Sequence, residues 1–180
     1  IPIVSSAGHG DVLPFDESLY AGQMGPRGNP VASDLVKEAD VILALGTRLG
    51  FNSTFFSYEH INEQASIIQV EIEPKSLGRY FPITIGICAD AKDFAIELYN
   101  ALLLKKETIK ISCWTIKFLD KRKAYLKKRD AEADFNPHLI QPSGFFKILR
   151  ETLPKNSAVT LDAGTLCLQA TDMLNFYHPR

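Results

Sequence analysis

The stretch Ala39-Asp-Val-Ile-Leu-Ala-Leu-Gly-Thr-Arg48 decides the fold, and Ile67-Ile-Gln-Val-Glu-Ile-Glu-Pro74 is its partner. Each is a continuous aliphatic run, rich in β-branched residues and leucine, that stops abruptly at glycine and arginine or at acid and proline. That is how a parallel strand buried on both faces ends where its loop meets a ligand. In an open α/β sheet this carboxyl edge is the ligand-binding edge. Working outward, Ile1 to Ser5 reads as a short strand entering the loop Ala7-Gly-His-Gly10, and a strand is expected near Ile83 to Cys88. Helices fall between the strands. Asn29 is placed to cap one, with Pro30 at its first position and Ala32, Leu35, Val36 and Ala39 at helical spacing. Asp90 heads another, with Phe94, Ala95, Leu98, Ala101 and Leu102 as its apolar face. Phe51 to Gln64 reads as a loop with a short helix, and Pro74 to Gly78 as a helical turn. Alternating strands and helices give an α/β class with a doubly wound, Rossmann-like parallel sheet.

Composition excludes several alternatives. The chain has 180 residues, 46% hydrophobic and 23% charged, enough for one well-buried core and part of a second. A net charge of −1 argues against a nucleic-acid surface, which needs a clustered basic excess. The one dense basic stretch, Lys117 to Arg129, is followed directly by Asp130, Glu132 and Asp134. Cys88, Cys113 and Cys167 are too far apart for a zinc site or a disulfide framework, so reduced thiols and a cytoplasmic location are expected. No apolar stretch reaches the roughly 18 residues that span a bilayer, and no membrane partner is expected. The opening Ile1-Pro-Ile-Val4 reads as part of a longer polypeptide, with a first strand upstream of it.

A change in composition at Lys105 suggests domain boundaries. Residues 1–104 form the nucleotide-binding-like α/β domain, and 105–141 a linker carrying an amphipathic helix. Residues 142–180 read as the start of a second α/β domain. Within it Ser143 is expected to cap a helix through Leu153, and Ala158-Val-Thr-Leu-Asp162 to form a strand that leads through Ala163-Gly-Thr165 into another helix.

Read together, Ala39 to Arg48, Ile67 to Pro74 and Ile87-Cys-Ala-Asp-Ala91 resemble the central domain of thiamine-diphosphate-dependent enzymes of the acetolactate synthase group. That group has an Ala-Asp strand ending in Gly-x-Arg, an acid-x-acid-Pro strand end, and Asp before the last helix. The resemblance covers residues 1 to 104 and continues in Val159 to Arg180, which is similar to the opening of the family's carboxy-terminal cofactor domain. It implies an enzyme that uses thiamine diphosphate and Mg2+ to decarboxylate a 2-oxo acid such as pyruvate and transfer the two-carbon unit, working as a homo-oligomer. It also implies FAD or ADP in the central domain. Where flavin-containing acetolactate synthases have Asp-Asp-Arg, however, this chain reads Leu49-Gly-Phe-Asn-Ser53, which counts against FAD. The family's ylid-promoting glutamate belongs to its amino-terminal domain, and its Gly-Asp-Gly…Asn magnesium motif does not occur here, so the chain alone is expected to be catalytically silent. Related readings are sulfoacetaldehyde acetyltransferase, glyoxylate carboligase, oxalyl-CoA decarboxylase, or a non-catalytic scaffold domain.

The candidate cofactor-binding residues have physical readings of their own. Gly22-Gln-Met-Gly25-Pro-Arg27-Gly28 offers backbone N–H groups beside a helix start, which suits a pyrophosphate; a glycine-rich surface turn is the plainer reading. Gly46, Thr47 and Arg48 close the first decisive strand, where Arg48 is suited either to a phosphate or to a salt bridge with Glu71 or Glu73. Glu71 and Glu73 are expected on one side of their strand. By resemblance, Glu71 and Ile72 hold the adenosine half of a nucleotide. Asp90 lies at the matching position one strand on, where capping is the competing role. Gly164, Thr165 and Leu166, by resemblance, lie beside the thiamine diphosphate phosphates; a tight strand-to-helix turn is the alternative. His9, between two glycines, invites a catalytic reading beside that of a solvent-facing loop histidine. His60, His138 and His178 have no evident partners, and no catalytic triad or metal-ligand pattern stands out.

Overall fold

The computed structural model describes residues 1–105, 110–162 and 164–179. It is an α/β protein with parallel sheets. The chain packs as two compact units, residues 1–35 with 112–180, and residues 36–111. The boundary expected at Lys105 runs into residues 106–109, outside those described.

In the first unit, β1 (Ile3–Ser5) pairs in parallel with β2 (Tyr20–Gln23). The sequence pattern does not signal β2, because Gly22 and polar neighbours mask its short alternation. Helix α1 (Pro30–Glu38) starts as expected: the Asn29 Oδ1 accepts from the N–H groups of Val31 at 2.9 Å and Ala32 at 3.3 Å. It buries Val31, Ala32, Leu35 and Val36 and spans the division between the units.

Three further helices complete this unit: α4 (Cys113–Ala131), α5 (Pro142–Thr152) and α6 (Thr165–Met173). Ser112 caps α4, its hydroxyl accepting from Thr115 N–H at 3.1 Å. Around α5 and α6 the core gathers Phe146, Ala170 and Leu174 with Leu149, Val159, Met173 and Phe176. Two expectations are corrected here. Ser143 does not cap α5; Pro142 takes the first helical position, and the Ser143 hydroxyl instead accepts from Asp134 N–H at 3.0 Å. Residues 158–162 form no strand, since a strand needs a ladder partner and none is placed beside them among the described residues.

The second unit holds β3 (Val41–Leu45), β4 (Ser66–Glu71) and β5 (Ile85–Cys88), all parallel, in the order β3-β4-β5. Leu45 pairs with Val70, and Glu71 with Cys88, so the three carboxyl ends share one edge. One face carries Ala44, Ile67, Gln69 and Glu71, all buried. On the other lie Val41, Leu43 and Leu45 of the edge strand β3, 56%, 41% and 38% exposed, with Ile85 half exposed. Helix α2 (Phe51–Thr54), a 3₁₀ turn (Pro74–Ser76) and α3 (Ala91–Lys105) fill the connections. The apolar face expected on α3 meets little protein: Phe94 and Leu98 are half-buried, while Ala95, Ala101 and Leu102 are exposed. Among the described residues no helix is long and apolar enough to cross a membrane.

Candidate functional site: the strand-end edge and the start of helix α6

At the edge of β3-β4-β5, Gly46 takes φ +59°, a conformation that favours glycine, and its N–H donates to the Val70 carbonyl at 2.9 Å. The Thr47 carbonyl accepts from the Gln69 side-chain amide at 3.0 Å, and Gln69 Oε1 accepts from Gly78 N–H at 2.8 Å. Buried Gln69 thus stitches the loop after β3 to the turn after β4. The sequence reading passed over it; the signal was a lone amide inside an aliphatic strand. Arg48 is exposed, and among the described residues no ion pair joins it to Glu71 or Glu73.

Glu71 is buried at the end of β4, where its Oε1 accepts from the N–H groups of Ile72 at 3.1 Å and Glu73 at 3.4 Å. Glu73 does not share its side of the strand. β4 ends at Glu71, and Glu73 turns out to cap the 3₁₀ turn, accepting from Lys75 N–H at 3.2 Å. Ile72 is two-thirds exposed beside it. Asp90 caps α3 through Oδ1, which accepts from Lys92 at 2.8 Å and Asp93 at 3.2 Å. Beyond Arg48 an exposed aromatic group collects Phe51, Phe55, Phe56 and Tyr80, with Phe56 and Tyr80 ring centroids 4.4 Å apart.

In the first unit several amides around the Gly25–Gly28 loop are already bonded within the protein. Gly25 N–H donates to Ser33 Oγ at 3.3 Å, Gly28 N–H to the Gly25 carbonyl at 3.0 Å, and Asn29 N–H to the Gln23 carbonyl at 2.8 Å. Its glycines answer to packing: a Cβ on Gly28 would lie 2.3 Å from the Gln23 carbonyl oxygen. Arg27 is exposed. Arg48 and Glu71 belong to the second unit and Gly25, Arg27 and Gly28 to the first.

The start of α6 is different in kind. Gly164 is its N-cap and Thr165 and Leu166 its first residues; all three are exposed, with no side-chain cap and no acid in the first turn. Its first amides therefore have no partner within the helix, which favours an anion. The far end is held firmly. Arg129 Nη1 donates to the Asp172 carbonyl at 3.0 Å and Arg150 Nη1 to the Met173 carbonyl at 2.7 Å. Arg150 also pairs with Asp130 at 2.6 Å, and both guanidinium side chains are more than nine-tenths buried. Burial, reinforced by Arg129, pulls the Arg150 pKa down, with Asp130 opposing. Among the described residues no group of three metal-ligating side chains is found.

A sequence model described as thiamine pyrophosphate enzyme, central domain, matches residues 1–98. A sulfoacetaldehyde acetyltransferase of Castellaniella defragrans is 29% identical over 99% of this chain and 33% of its own length. One from Rhodobacter capsulatus is 40% identical over half of this chain and 16% of its own. A probable acetolactate synthase large subunit of Methanocaldococcus jannaschii is 29% identical over 91% and 28%. The chain thus spans about a third of the length of the relatives it matches. With parallel strands ending together at the edge described above, the chain belongs to the thiamine pyrophosphate enzyme family, through that family's central domain.

Proposed function

We propose that these residues serve a thiamine-diphosphate-dependent enzyme that transfers a two-carbon acyl unit from a small-molecule substrate. The carrying observation is the central-domain match over residues 1–98. Two substrate readings are supported alike: decarboxylation of a 2-oxo acid such as pyruvate, as in acetolactate synthases, and acetyl transfer involving sulfoacetaldehyde, by likeness to the acetyltransferases that match along nearly the whole chain.

The uncapped start of α6 fits a diphosphate. Thr165 and Leu166 would offer amides to it, and Gly164 leaves the approach open, since no heavy atom lies within 4 Å of a Cβ built there. When bound, thiamine diphosphate supplies the carbanion-stabilising chemistry; the chain's part is to bind and orient it. Mg2+ would be held by residues outside this segment. At the other edge Arg48 and Glu71 suit the phosphate and ribose of ADP, a smaller ligand than FAD and the one we favour. The exposed apolar face of β3 supports assembly as a homo-oligomer.

The test is consumption of pyruvate, glyoxylate and sulfoacetaldehyde by the polypeptide carrying these residues, with and without thiamine diphosphate and Mg2+. Cofactor-dependent loss of one substrate is expected and names it. Loss of none would overturn the enzyme reading in favour of a scaffold domain.

A further inference from the structure

The loop that leaves β1 holds His9 on a tightly determined backbone. His9 N–H donates to the Ser6 carbonyl at 3.1 Å, and Gly8 N–H to Gln23 Oε1 at 2.7 Å. On the other side the Tyr20 hydroxyl donates to the Gly10 carbonyl at 3.3 Å and shares a 2.8 Å hydrogen bond with the Ser5 hydroxyl. Gln23 and Tyr20 are both buried, and the Gln23 amide is itself anchored, donating to the Thr171 carbonyl at 2.8 Å. The two flanking glycines are required for separate reasons. Gly8 has φ +88°, while a Cβ on Gly10 would lie 2.5 Å from Gln23 Nε2 and 2.9 Å from the Phe176 ring. Between them the imidazole of His9 is exposed.

An exposed side chain adds little to stability, whereas fixing the backbone beneath it costs conformational entropy. A loop held by buried anchors that presents a polar side chain at the carboxyl end of a parallel strand has the construction of a ligand contact. The loop's own carboxylate, Asp11, does not stand alone. Burial raises the pKa of the Tyr20 hydroxyl, the Ser5 hydrogen bond opposes it, and Asp11 pushes it up while Arg122 pushes it down.

We propose that His9 is a ligand-contacting residue whose imidazole N–H binds the oxyanion of a small-molecule substrate, a carboxylate or a phosphate. Imidazole suits this role because it donates a hydrogen bond in either protonation state and adds positive charge when protonated. The oxyanion class rests on the acyl-transfer reading above; the contact itself does not.

The experiment follows the four histidine Hε1 resonances of the 180-residue chain by proton–carbon NMR while pyruvate and, separately, inorganic phosphate are added; His9→Gln assigns the His9 signal. A saturable shift at His9, with His60, His138 and His178 unmoved, is expected, and whichever anion produces it names the source. No saturable shift at His9 with either anion, or equal shifts at all four histidines, would overturn the proposal. Tyr20→Phe, which keeps the buried ring and removes the hydroxyl that holds Gly10, should weaken the binding roughly tenfold; undiminished affinity would overturn the role of the pinned loop. A selective His9 shift in the 180-residue chain, together with no thiamine-diphosphate-dependent turnover by the full-length protein, would overturn the acyl-transfer reading alone.

Discussion

The Tyr125 hydroxyl of α4 donates to the Asp172 carboxylate of α6, a link across 47 residues of sequence. Burial, then this hydrogen bond, then the Asp172 charge all raise the Tyr125 pKa above its ordinary value, so the folded state resists losing that proton. Unfolded chains release it near pH 10. As pH rises through that value the unfolded state ionises first and stability falls, while below it the contribution is complete. Tyr125→Phe should therefore flatten the loss of stability above pH 10. At neutral pH it should cost about 1.5–3 kcal/mol, the range for a hydrogen bond to a charged group. Urea unfolding at a series of pH values measures both.

Gly28 and Gly164 were expected in the same role, and the structure separates them. Gly28→Ala forces a Cβ to within 2.3 Å of a backbone oxygen, whereas Gly164→Ala meets open space at an extended residue, φ 171°. The first should destabilise the chain by at least about 2 kcal/mol, as overpacking against rigid backbone does. The second should stay within about 0.5 kcal/mol. Equal melting temperatures for the two variants would refute the packing account of Gly28.

The contrast shows where sequence patterns carry far and where they stop. β3 was legible residue for residue because an uninterrupted aliphatic run sits between Asp40 and Gly46, and the caps of Asn29 and Asp90 were legible because cap and recipient lie two or three residues apart. Gln69 was not, since its partners Thr47 and Gly78 are 22 and 9 residues away and only the folded sheet brings them near. The Gly25–Gly28 loop stayed ambiguous because glycines needed for close packing and glycines needed to cradle phosphate look the same in a sequence. Residues 158–162 have strand composition, but pairing, not composition, makes a strand.

Arg48 carries the nucleotide prediction for the second unit. It is exposed, unpaired with Glu71 or Glu73 among the described residues, and follows a glycine at a strand end. If ADP is held there, Arg48→Ala should weaken it by about 1.5–3 kcal/mol, roughly ten- to a hundredfold, with no loss of stability. Calorimetric titration with ADP decides the matter; unchanged affinity in a folded variant would remove Arg48 from the site.

The last prediction concerns β3. It is an edge strand in the order β3-β4-β5, and Val41, Leu43 and Leu45 project together from one face. The strand carries none of the usual protections of a free edge: there is no charge, proline or bulge between Val41 and Leu45. Unpaired N–H and C=O groups beside an apolar face favour pairing with another strand. The 180-residue chain is therefore expected to self-associate in a concentration-dependent way. Leu43→Lys, at an already exposed position, should shift it towards monomer with little change in the unfolding midpoint of dilute samples. Sedimentation velocity across a concentration series reads this directly. A monomeric wild-type chain, or a variant that associates just as strongly, would show that some other surface governs assembly.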